Sequence, residues 1–176
     1  NRRAHLEMTG PEIWNQTEGS VDGFICAIGT GGTLSGVGAY LKSKNKDISI
    51  GLADPMGANM YSFFKTGELK SEGSSITEGI GQGRITENIK DMSLDIPFRV
   101  NDSEALNILY DLIEEEGLFL GLSSGINIAG AKKLAKSLGK DKTIVTILCD
   151  SANRYQNKMF NAGFLEENNL PIPSWL

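Results

Sequence analysis

The chain has 176 residues, enough to bury about 70 % of its unfolded surface around one substantial core. Its 22 acidic and 17 basic residues leave a net charge of −5, which argues against nucleic acid or an anionic membrane as the main partner. No apolar stretch approaches the ~18 residues that a membrane span needs, and Asn1-Arg2-Arg3-Ala4-His5 has no apolar core behind it, so this segment is not expected to act as a secretory signal.

In chain order, Thr9-Gly10-Pro11-Glu12 reads as a helix start, with a threonine cap and an early proline. A strand is predicted over 22–28, a helix over 32–45, a strand over 48–53 and a helix near 57–66. The basic run Lys42-Ser43-Lys44-Asn45-Lys46 closes the second of these helices and reads as solvated cations facing the negative end of its dipole. The pattern then breaks over 67–91, where Gly67, Ser71, Gly73, Ser74, Ser75, Gly79, Gly81 and Gly83 make the least regular part of the chain. Such a stretch is either a site loop whose glycines let backbone approach a ligand, or a flexible surface excursion. Asn101 and Glu104 form a capping pair for a helix over 102–116, with Ala105, Leu106, Leu109, Leu112 and Ile113 on one face and Gly117 as its stop. Another helix is predicted over 124–138, followed by an apolar, β-branched strand over 143–148.

Strands alternating with helices predict an α/β fold: an open, mostly parallel sheet with helices on both faces, in one domain over 1–176. Cys26 and Cys149 both fall in apolar strand runs. Buried free thiols and a reduced, cytoplasmic protein are therefore expected.

Gly29-Thr30-Gly31-Gly32-Thr33 is the most informative segment. It lies between a predicted strand and a predicted helix, where ligands bind in such sheets. Backbone amides of a glycine-rich turn point into the gap, the helix dipole adds positive potential, and Thr30 and Thr33 add hydroxyls. The dinucleotide fingerprint is broken by Leu34, and Val37 follows Gly36 where a nucleoside-triphosphate loop needs lysine. No zinc or calcium spacing is present. A small monophosphate remains; the plain alternative is that tight packing of a helix on a strand selects the glycines. Leu122-Ser123-Ser124-Gly125 is a second small-residue turn, readable also as a simple helix cap.

Thr9-Gly10-Pro11-Glu12-Ile13-Trp14, the Gly29–Thr33 turn, Glu78-Gly79-Ile80-Gly81, Leu122-Ser123-Ser124-Gly125 and Asn153-Arg154-Tyr155 occur in that order. Taken together, the chain resembles the cysteine synthase (O-acetylserine sulfhydrylase) family of tryptophan-synthase-β-like, fold type II enzymes, essentially end to end. The resemblance implies pyridoxal 5'-phosphate as cofactor, with its phosphate on Gly29, Thr30, Gly31, Gly32 and Thr33 and its ring nitrogen on Ser123. Asp150 is the rival partner for that nitrogen. It also places Gly79, Ile80 and Gly81 beside the substrate, and matches His5 to a histidine near the same helix start, although His5 also reads as a surface residue.

The implied reaction is β-replacement, making L-cysteine from O-acetylserine and sulfide. A serine at the ring nitrogen suits it, because a hydroxyl leaves the pyridine neutral where a carboxylate would keep it protonated. Cystathionine β-synthase and serine/threonine dehydratase chemistry are the alternatives, as is a non-catalytic module binding phosphate or a partner protein. The family's Schiff-base lysine and its Ser/Thr-Gly-Asn-Thr loop are not found in this sequence. The chain is therefore expected to be the carboxyl-terminal part, a little over half, with no catalytic residue of its own and a missing N-terminal segment as partner. A homodimer is expected from the resemblance. Ile126-Asn127 and Ser151-Ala152-Asn153 depart from the family's smaller or glycine-containing residues there.

Overall fold

The computed structural model describes residues 1–176. Its first helical segment starts earlier than Thr9: α1 (Arg2–Ala4) runs through a widened π turn (His5–Thr9) into α2 (Gly10–Gln16). Thr9 has helical dihedrals and caps nothing; its hydroxyl bonds the His5 ring instead. Pro11 has no N–H and its ring crowds the carbonyl four residues back, and the widened turn is where the helix absorbs this. A proline near a helix start and one tolerated inside a helix look alike in sequence.

The remaining elements alternate as expected. They are β1 (Gly23–Cys26), α3 (Gly32–Lys44), β2 (Ser49–Pro55), α4 (Met60–Thr66), β3 (Ile96–Val100), α5 (Asp102–Glu116), α6 (Leu122–Leu138) and β4 (Ile144–Val145). A 3-10 turn (Ala152–Tyr155) and two short helices, α7 (Gln156–Met159) and α8 (Ala162–Glu167), end the chain. Asn101 Oδ1 accepts from Glu104 N at 2.8 Å, so α5 is capped as predicted. The helix expected near 57–66 begins later, at Met60, because the chain first turns through Gly57.

All strand pairs are parallel and the order is β3-β2-β1-β4. β3 was not anticipated. It carries Pro97 and Arg99, which suit an edge strand and mask its periodicity. β4 contributes only the pairs Gly23–Ile144 and Phe24–Val145, fewer than the six-residue apolar run promised. Beyond Val145 it diverges from β1, and side chains take over: Thr146 Oγ1 donates to Ile25 O at 2.6 Å.

Alternation along the strands feeds two cores, as a sheet covered on both faces requires. Phe24, Cys26, Ile50 and Leu52 pack with Ile13 of α2, Leu34, Val37 and Leu41 of α3 and Met60 of α4. On the other face Ile25, Ala53 and Val100 pack with Ala105 of α5 and Ile126, Ala129 and Leu134 of α6. The helix α6 lies close to the sheet because the contact is made by small residues: a Cβ added to Gly130 would sit 2.5 Å from Ala53 Cβ. Gly130→Ala is therefore expected to destabilise the fold by ~1–3 kcal/mol through overpacking. Urea unfolding measures this, and an unchanged midpoint would show that α6 has room to spare.

Candidate functional site

Where β1 ends, Ala27-Ile28 carry the chain out of the sheet into the Gly29–Thr33 turn, which opens α3. Gly31 adopts φ 83°, a left-handed conformation that a side chain resists, and a Cβ there would run into buried Ile89. The amides of Gly29, Thr30, Gly31 and Thr33 donate to no other atom of the chain. Four free N–H groups at the positive end of a 13-residue helix, with two threonine hydroxyls beside them, are a donor set for an anion.

The turn is braced from three sides. Thr86 Oγ1 and Asn88 Nδ2 both donate to Thr30 O, at 2.7 and 3.0 Å. Asn1 Nδ2 donates to Thr30 Oγ1 at 2.9 Å. The His5 ring bridges Thr33 Oγ1 (3.2 Å) and Thr9 Oγ1 (3.0 Å), so this histidine is a half-buried support for the turn and not a free surface residue. Thr86 and Asn88 were invisible in sequence, being ordinary polar residues in an irregular loop.

Gly79 meets the same turn, Gly81 meets the residue that leads into it, and Ile80 packs against the core between the sheet and α6. Gly81 N donates to Ile28 O at 3.0 Å, and a Cβ on Gly29 would lie 2.6 Å from Gly79 O. The 67–91 stretch has no regular structure, yet it is tied down. Asp102, at the start of α5, accepts from Ser75 Oγ (2.5 Å) and Ile76 N (2.8 Å). Lys158 Nζ donates to Ile76 O and pairs with Glu78 at 2.6 Å, which holds the Glu78 carboxyl below its usual range.

Ser123 lies in the first turn of α6, 6 % exposed, and its hydroxyl makes no hydrogen bond within the chain. The neighbouring Ser124, fully buried, has its Oγ engaged by Cys149 N at 3.0 Å. Asp150 is placed differently from Ser123. Its Oδ2 accepts from the Tyr155 hydroxyl at 2.8 Å, and its buried Oδ1 packs against Gly121 without a partner. Burial, reinforced by that bond to Asp150, pushes the Tyr155 hydroxyl up to about 12. Cys149 is exposed, contrary to expectation, because it lies past the end of β4; Cys26 is buried, and burial raises its thiol further above the ordinary value.

Asn127 joins these parts. It was noted in sequence only as a departure from a small residue, and the usable signal was a polar side chain on the buried face of α6. Its Oδ1 accepts from Ala27 N at 2.7 Å and its Nδ2 donates to Ile147 O at 2.8 Å. The first turns of α6 thus sit at the carboxyl ends of β1 and β4, where the strand order reverses and where such sheets form their crevice.

An anion-binding turn at the strand-order reversal of an open parallel sheet defines an α/β protein built around a phosphorylated ligand. The chain belongs to the pyridoxal-phosphate dependent enzyme family, whose model matches residues 1–150. It is 50 % identical over 175 residues to cysteine synthase 1 of Neurospora crassa, covering 97 % of this chain and 46 % of that protein. Cysteine synthase of Dictyostelium discoideum is 42 % identical over 182 residues, covering 98 % and 48 %. The chain thus spans about half the length of the curated relatives it matches. Among solved structures, an O-acetylserine dependent cystathionine β-synthase from Helicobacter pylori superimposes with a TM-score of 0.80 at 28 % identity, over 89 % of this chain and 49 % of that one. These relatives bear out the resemblance, the fold class and pyridoxal phosphate as the cofactor. The free amides of the turn fit its phosphate.

Two outcomes follow from this geometry. Thr33→Ala removes one hydroxyl from the anion site and is expected to weaken cofactor binding by ~1 kcal/mol; an unchanged dissociation constant would remove Thr33 from the site. Asp54, fully buried at the carboxyl end of β2, accepts from Tyr61 N at 2.7 Å while its Oδ1 has no partner. Burial raises its carboxyl to about 6, from 3.8. The folded state therefore keeps a proton that the unfolded state has released, so the stabilisation is complete below about pH 4 and is lost as pH rises through about 6. Asp54→Asn should flatten urea-derived stability across that window, and parallel profiles for the two proteins would contradict the assignment.

Proposed function

We propose that this chain supplies the phosphate and ring-nitrogen half of the site in an enzyme that makes L-cysteine from O-acetyl-L-serine and sulfide by β-replacement. The observation that carries the proposal is the crossing of Gly79 over Gly29, which makes the anion turn and the Gly79–Gly81 loop one site. The cysteine synthase relatives support the choice of reaction.

When bound, pyridoxal phosphate supplies an electron-withdrawing ring for bond changes next to the amino-acid α-carbon. The chain's own residues bind and orient. The amides of Gly29, Thr30, Gly31 and Thr33, with Gly32 opening the helix, hold the phosphate, and the Thr30 and Thr33 hydroxyls donate to it. Ser123, whose hydroxyl is uncommitted, would hold the ring nitrogen as a hydrogen-bond donor, a role in which a hydroxyl does not give up its proton. Asp150 is less suited to this task, because one carboxylate oxygen is already bonded to Tyr155 and the other faces Gly121. Gly79, Ile80 and Gly81 line the substrate's path beside the phosphate. The half of the relatives' length that this chain does not span would carry the Schiff-base lysine and the substrate-carboxylate loop. A cytoplasmic homodimer belongs to the same proposal and rests on the resemblance alone.

The structural likeness to an O-acetylserine dependent cystathionine β-synthase favours one second reading, in which a thiol larger than sulfide is the acceptor. Assay of the full-length protein separates the two. Cysteine formation from O-acetylserine is expected to be faster with sulfide than cystathionine formation with homocysteine. Ser123→Ala should lower cofactor affinity by ~1 kcal/mol, one hydrogen bond's worth. No turnover of O-acetylserine with either acceptor would reject both readings.

A further inference from the structure

We propose that Asn127 is the positioning residue that sets the separation between the phosphate turn and Ser123, and so matches the site to a cofactor of one fixed length. The proposal rests on the cofactor reading above and goes beyond it by assigning a role to a residue that touches neither phosphate nor ring. Asn127 is 1 % exposed and lies four residues after Ser123, on the same side of α6 one turn further on. Its neighbours on that buried face are Ile126, Ala129 and Gly130.

The need for a carboxamide comes from the sheet. Ladder pairing between β1 and β4 ends at Phe24–Val145, so Ala27 N and Ile147 O lie beyond it with no backbone partner for each other. Both groups are half-buried, and a backbone donor and acceptor shielded from water without partners are costly. The Asn127 side chain offers one acceptor and one donor, and it bonds both groups at 2.7 and 2.8 Å, filling the gap as a peptide group would. An apolar residue satisfies neither group, and a carboxylate satisfies only Ala27.

The consequence for the site is geometric. Ala27 is two residues from Gly29, and Ser123 is one turn from Asn127, so the Asn127–Ala27 bond is a short side-chain route from one half of the site to the other. The other ties of α6 in this region, Ser124 Oγ to Cys149 N and Gly121 N to Asp150 O, reach only the segment after β4. Without Asn127 each half of the site persists, but their spacing is no longer held.

The test compares two probes on the full-length apoprotein: inorganic phosphate, which needs only the turn, and pyridoxal phosphate, which needs both halves. Asn127→Ala is expected to leave phosphate affinity unchanged and to weaken pyridoxal phosphate about tenfold, the upper range for one hydrogen bond. The bound cofactor's fluorescence should shift to that of Ser123→Ala, and the double variant should bind no more weakly than Asn127→Ala, since coupled residues are not additive. Asn127→Asp, which keeps the acceptor for Ala27 and loses the donor to Ile147, is measured in parallel in case the alanine variant fails to fold. Thr146→Val removes a different tie between the same strands and should lower stability while sparing both affinities. Equal losses for the two probes, no loss for either, or additive effects with Ser123→Ala would overturn the proposal. A wild-type protein that binds phosphate but not pyridoxal phosphate would instead reject the cofactor reading itself.

Discussion

The divergence of β1 and β4 is the constraint on which the rest of the structure depends. Parallel strands share a ladder only while they run side by side, and here pairing stops at Phe24–Val145. Past that point the amides and carbonyls shielded from water must find other partners. Thr146 answers Ile25 O, Asn127 answers Ala27 N and Ile147 O, and Ser124 answers Cys149 N. Side chains therefore line the opening that the strands leave. The anion turn and the start of α6 are both attached to the edges of that opening, through Ala27 on one side and Ile147 and Cys149 on the other.

The close seat of α6 follows from residue size. Gly51 lies against Ile25, and Gly130 against Ala53, with no volume for larger groups between helix and sheet. Gly125 approaches the carbonyl of Ala105, where a Cβ would sit at 2.8 Å, so α5 presses on α6 from the far side. A helix held this tightly cannot slide along its axis without a clash. The position of Ser123 is thus determined by packing in one direction and by the Asn127 bonds in another.

Much of this was legible in the sequence, for reasons that lie in local chemistry. The α5 cap and stop, the glycine turn after β1, and the alternation of strand and helix are all written in short spans. What was not legible depends on partners far along the chain. β3 is recognisable only once β2 offers it a neighbour, since Pro97 and Arg99 break its pattern. The six-residue apolar run at 143–148 looks like a full strand, yet pairing is decided by where β1 goes. Thr9 has the composition of a helix cap, and only the helical residues before it deny the role. Cys149 follows the same logic, buried by its run in sequence and exposed by the strand's early end. The site divides in the same way: the anion turn declares itself, while Asn127, Thr86 and Asn88 take their meaning from atoms that the fold brings to them.

The glycine-dense loop shows how composition can mislead about mobility. Its glycines suggest freedom, but several of its residues are held: Gly81 by Ile28, Ile76 by Asp102 and Lys158, and Thr86 and Asn88 by Thr30. Glycine is needed at such a crossing because two backbones come closer than any side chain permits. Gly29 meets two requirements at once, leaving room for Gly79 O on one side and joining strand to anion turn on the other. A side chain at Gly29 would press on Gly79 O and move the anion turn and the Gly79–Gly81 loop together, whereas Gly79 has open space beside it and is required for its φ of 75°. The anion turn and the loop therefore share one steric limit, at Gly29, and neither is free to vary alone there.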